Sequence, residues 1–92
     1  MVDQLDLPGH LDTEASGVLR DALKARRGGD LALDASKVSF VGGACFQVLL
    51  AARRSWRSDG HALIFDGVSE DFDRGMTRLG LPLAAFAEES SR

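Results

Sequence analysis

Cysteine occurs once in the 92 residues, so no internal disulfide can form; two separated histidines and that one cysteine give no metal-ligand spacing. Basic residues are not in surplus. Eleven Lys and Arg stand against fourteen Asp and Glu, for a net charge of −3, which argues against a nucleic-acid partner. No apolar run reaches the roughly eighteen residues that a membrane helix needs, and the first six residues are acidic where a secretory leader would be basic. These absences point to a cytoplasmic protein without direct membrane insertion. No Ser/His/Asp, Cys/His or phosphate-loop arrangement has workable spacing, and Asp71 and Asp73 suit the start of a helix, so neither an enzyme nor a cofactor is expected. What is present is ordinary for one soluble globular domain: 45% apolar and 27% charged residues over 1–92, with 88–92 as a polar tail.

The stretch 31–56 organises the chain. Leu31, Leu33, Val38 and Phe40 alternate in two short runs, the period of a strand with one buried face. From Cys45 onward the period changes, and Cys45, Val48, Leu49, Ala52 and Trp56 recur at helical steps, with Arg53, Arg54 and Arg57 near the C-terminal end where positive charge suits the dipole. The turn from strand to helix falls at Gly42-Gly43.

Upstream, the alternation over 4–7 stops at Pro8-Gly9 and reads as a strand. Asp12 or Thr13 caps a helix whose buried face is Ala15, Val18, Leu19 and Ala22, and Arg26-Arg27 followed by Gly28-Gly29 ends it. Gly17 weakens that helix by roughly 1 kcal/mol relative to alanine. Downstream, 62–65 is an apolar run of strand length, expected to be buried on both faces and closed by Asp66-Gly67. Ser69 caps a third helix with Phe72, Met76 and Leu79 inward, and Gly80 ends it. For 81–86, a strand, a helical turn and an extended segment all fit. Strand and helix thus alternate with short connections, which implies an α/β fold: a small, mostly parallel sheet with crossover helices packed against it.

The run 5–12 leading into a helix, and the run 33–41 (Leu33, Asp34, Ala35, Ser36, Lys37, Val38, Ser39, Phe40, Val41) leading into a second helix, resemble the STAS domain, the fold of anti-sigma-factor antagonists. The resemblance spans about residues 4–81, and Asp34, Ser36, Val38 and Phe40 fit its framework. In that family the strand is followed by an aspartate, two hydroxyl residues, a glycine and a leucine, and a partner kinase phosphorylates the second hydroxyl. Position by position, Gly42 stands in the aspartate's place, Gly43 in the first hydroxyl's and Ala44 in the phosphoacceptor's; Cys45 and Phe46 follow in those of the glycine and the leucine. An alanine has no oxygen to phosphorylate, so a switch by phosphate at the helix start cannot operate there.

What the resemblance leaves is a binding surface: Gly42, Gly43, Ala44, Phe46, Gln47, Leu50 and Arg54 as partner-binding residues within a loop-helix face over 41–57. The sequence from Gly42 to Trp56 is also similar to small STAS proteins of alphaproteobacterial chemotaxis clusters. That similarity implies a chemotaxis histidine kinase, or a related ATPase-domain regulator, as partner. STAS domains also accompany the ATPase of lipid-transport systems, so an accessory transporter subunit is the alternative, beside an anti-sigma-factor antagonist. Each residue has a plainer reading too. Gly42-Gly43 serves equally as a tight turn, Cys45 as a small buried hydrophobe, Ser36 as a turn residue, His10 as a loop residue and the arginines as a solvated helix end; Phe46 and Leu50 belong either to an exposed edge or to a wide core stripe.

Overall fold

Parallel strands need crossover connections, and among the described residues the three strand pairs are all parallel. A computed structural model describes residues 3–80; the expectations for 81–86 and for the tail 88–92 lie outside the described residues. The order is β1 (Asp3–Asp6), β2 (His10–Leu11), α1 (Thr13–Lys24), β3 (Leu31–Ala35), β4 (Phe40–Val41), α2 (Gly43–Asp59), β5 (Leu63–Val68) and α3 (Glu70–Arg78). The main sheet runs β1-β3-β5, while β2 and β4 form a separate two-stranded ladder. That ladder was not foreseen, because two-residue strands are too short to show a period.

Register puts Leu5 beside Leu33 and Leu33 beside Phe65, and the buried Leu31, Leu33, Ala35 and Leu63 share that side of the sheet with the core. The other side carries Gln4, Ala32 and Ile64 in one row. Ile64 is exposed there, so β5 is not buried on both faces as its apolar run suggested. Nor does Asp66-Gly67 close the strand. The ladder shifts register between Leu33 and Ala35 and β5 continues to Val68, with Gly67 at φ +93 and an added Cβ only 2.9 Å from Asp34 Oδ1.

Helix α1 starts where expected, with Asp12 Oδ1 accepting from the Ala15 N–H at 3.0 Å. It buries Leu19 and Leu23, whereas Val18, placed inward by its spacing, is 72% exposed. Val18 and Leu19 are about 100° apart around the helix, enough to carry Val18 off a narrow buried arc. Helix α2 begins parallel to α1. At one end the Cys45 thiol donates to the Asp12 carbonyl at 3.2 Å; at the other, Arg27 makes a two-oxygen contact with Asp59 at 2.9–3.1 Å and Trp56 Nε1 donates to the Gly29 carbonyl at 2.9 Å. Burial, and secondarily the Asp12 charge, push the Cys45 thiol's pKa up, which fits an inert core residue.

The Ser69 hydroxyl accepts from the Phe72 N–H at 3.0 Å and itself donates to the Val38 carbonyl, so one side chain caps α3 and ties it to the chain leaving β3. Phe72 and Met76 are fully buried, but Leu79 is exposed at the C-cap rather than inward. Gly75 faces β4 so closely that an added Cβ would overlap Val41 Cγ1.

Candidate functional site

The start of α2 is set by the ladder. Gly9 turns the chain after β1, and its carbonyl accepts from the Ser39 N–H at 2.7 Å and the Ser39 hydroxyl at 3.0 Å. One residue pair further on, the Gly42 N–H donates to the Leu11 carbonyl at 2.9 Å. Gly42 is therefore the N-cap of α2, extended at φ −98, and it provides no side-chain cap; the first turn also holds no acid. The expected strand-to-helix turn at Gly42-Gly43 is present, and it is also accessible. Gly43 is exposed, with no atom within 4 Å of where a Cβ would lie among the described residues, and Gly42 and Ala44 are half-buried.

From Gly43 the outward side of α2 continues through Gln47, Leu50 and Arg54, four, seven and eleven positions on, which helical geometry places on one side. Gln47 and Arg54 are exposed and Leu50 is half-buried against the core. Phe46 does not join them. It is 7% exposed and part of the core cluster with Cys45 and Leu49, so the wide-stripe reading holds and the expected aromatic contact at Phe46 is corrected. Neighbouring helix positions differ by about 100°, and a buried arc of that width takes in both Cys45 and Phe46.

The aromatic surface lies instead on the ladder. Phe40, expected inward, is 45% exposed, because the break after β3 resets the alternation and Val41 turns in. Its ring stacks on His10, with centroids 5.1 Å apart at 27°, and lies 3.3 Å from where a Gly42 Cβ would be. His10 is thus part of β2 rather than an isolated loop residue. A pairing of Pro8-Gly9-His10 with Ser39-Phe40 was the one signal available, and it is a tertiary one.

Framework groups behind this surface are polar and tightly placed. Asp34 Oδ1 accepts from the Ser36 N–H at 2.9 Å, and the Ser36 hydroxyl and amide, assisted by Lys37, hold the Asp34 carboxyl below its usual range. Ser36 thus acts as a turn residue, bonded to Asp34. Among the described residues no group of three or more His, Cys, Asp or Glu is placed to hold a metal ion, and no helix is long and apolar enough to cross a membrane.

Residues 2–82 match the family model described as "Mlab, STAS domain". No curated protein and no solved structure matches the chain.

Proposed function

We propose that this chain, which belongs to the STAS domain family, is a docking module that binds a kinase or ATPase-domain protein constitutively through the face made by 41–44 and the outward side of α2. STAS domains are generally non-catalytic regulatory domains that act through protein contacts, and the α/β fold with its small parallel sheet agrees with that family. The observation that carries the reading is the exposure of Gly43 beside the half-buried Ala44: the helix start is open to a partner, and the position matching the phosphoacceptor carries only a methyl group. With no oxygen at Ala44, binding is regulated by partner supply or by the partner's own state, since a ligand that favours one state of an ATPase shifts its equilibrium.

A chemotaxis histidine kinase is the partner that the subfamily resemblance implies, and the ATPase of a lipid-transport system is the alternative. Mixing the full chain with each purified candidate and measuring complex formation by size-exclusion chromatography separates them. Failure to bind either class counts against the docking reading. Incubation with a serine kinase that acts on anti-sigma antagonists should add no phosphate by intact mass; a phosphate on Ser36 or Ser39 would restore the antagonist reading and remove the constitutive one.

A further inference from the structure

The parallel packing of α1 and α2 leaves a groove along their outer junction, which meets the face at the start of α2 at Gln47 and is otherwise lined by different residues. It has a volume of about 310 Å³, an apolar floor that includes Val48, Ala52 and Trp56, and a lining that runs on α2 from Gln47 to Trp56. At 1.5 Å per residue that is about 14 Å of helix. Every charged side chain on the lining is basic: Arg20 and Lys24 on α1, and Arg27 in the turn that follows it. Arg27 is spent on Asp59, and Arg20 has only a distant contact, 3.9 Å, with its neighbour Asp21. The α1 rim is therefore net positive through Arg20 and Lys24 on a protein whose overall charge is −3, while the α2 rim carries the neutral Gln47 and Ser55.

From this we infer that the α1–α2 groove binds an amphipathic helix of a partner protein, apolar toward Trp56 and acidic along the one flank that meets Arg20 and Lys24. The shape suits a helix because a third helix seats between two parallel neighbours where small residues, here Ala51 and Ala52, let backbones approach. The asymmetry of charge fixes the direction in which that helix lies. A second copy of this chain does not supply it from the described residues, since the acidic helix α3 spends its apolar side, Phe72 and Met76, in its own core.

Trp56, the sole tryptophan, sits in the floor and reports occupancy by fluorescence. The full chain is titrated with a synthetic peptide of about four helical turns bearing leucines at helical spacing and glutamates on one flank, and with a second peptide in which lysines replace the glutamates. The glutamate peptide should give a saturable change in Trp56 emission, and the lysine peptide should bind about tenfold more weakly, from two individually weak surface pairs at Arg20 and Lys24 that turn repulsive. The double variant Arg20→Glu with Lys24→Glu should reverse that preference, and Ala51→Glu should weaken both peptides. Gly43→Glu, which tests the other face, should leave peptide binding intact. Equal affinity for the two peptides, absence of saturation, or a saturable response to decanoate without any to the peptide would overturn the inference, the last by assigning the groove to a fatty anion. Loss of peptide binding in Gly43→Glu would show that the peptide sits on the face at the start of α2 rather than in the groove, and would also overturn the inference.

Discussion

Gly43→Glu tests the docking face with little risk to the fold. Gly43 is the first residue of α2, and its Cβ position is open among the described residues, so a side chain meets no obstruction. Replacing a helical glycine gains up to about 1 kcal/mol of propensity, less at the first position, and a carboxylate in a first turn that has no acid adds about 0.3–1 kcal/mol through the dipole. Stability should rise by about 0.5–1.5 kcal/mol, which for a domain of this size is a Tm increase of several degrees. Binding should move the other way. A charge forced into an interface without a counter-charge costs about 2–5 kcal/mol, so partner affinity should fall by at least about thirtyfold. Thermal unfolding followed by circular dichroism gives the first quantity, and calorimetric titration with whichever candidate kinase or ATPase-domain protein forms the proposed complex gives the second. A raised Tm with unchanged affinity would remove the start of α2 from the interface; a lowered Tm would show that the site is not open.

Other parts of the chain make separate predictions. Gly75→Ala should destabilise by about 1–3 kcal/mol in urea unfolding, because the added methyl overlaps the stiff Val41 side chain and the helix-propensity gain is smaller than that overpacking. Gly17→Ala, inside α1 with nothing within 4 Å, should stabilise by about 0.5–1 kcal/mol in the same assay. The Asp34 carboxyl titrates below its ordinary 3.8 when folded, so the unfolded chain takes up the proton first: this contribution is complete above about pH 4 and is lost as pH falls through the folded value. Urea midpoints for Asp34→Asn should therefore decline less steeply with acid than those of the parent chain, and parallel slopes would contradict the assignment to Asp34.

The long elements were legible because each shows its period over several residues. Cys45, Leu49, Ala52 and Trp56 are buried as the helical steps required, and Ser69, Asp12 and Gly80 punctuate the helices where turn and cap chemistry placed them. The misses share a cause. Phe40 and Val41 lie after a break in the strand, so alternation could not be carried across from Leu33; Ile64 and Val18 occupy positions whose exposure depends on which neighbour covers them. The candidate site was half legible for the same reason. The STAS resemblance pointed to Gly43, Gln47 and Arg54, and they are exposed, while the His10–Phe40 pair needs the β2–β4 ladder, which exists only once the chain has folded.

Phe46 and Phe40 exchange the roles first expected of them, and the exchange has an energetic logic. A helix without a capping side chain forgoes about 1 kcal/mol, and α2 has none at Gly42. Burial of Phe46, worth about 1.5–3 kcal/mol, more than offsets that loss, and the Cys45 thiol's bond to the Asp12 carbonyl holds the same turn in place. The first turn can then be bare, with backbone at Gly42 and Gly43 and only a methyl at Ala44. If this turn docks a partner as proposed, selectivity comes from the side chains around it, of which Phe40 is a large exposed one. Phe40→Ala should cost stability no more than about 1 kcal/mol, since the ring is 45% exposed and stacks on His10 at the surface. On the docking reading, Phe40 is an aromatic anchor bordering the face at Gly42, and the substitution should cost binding about 2 kcal/mol or more, near thirtyfold in Kd. A variant whose affinity falls only in step with its stability would show that Phe40 supports the ladder and is not part of the interface.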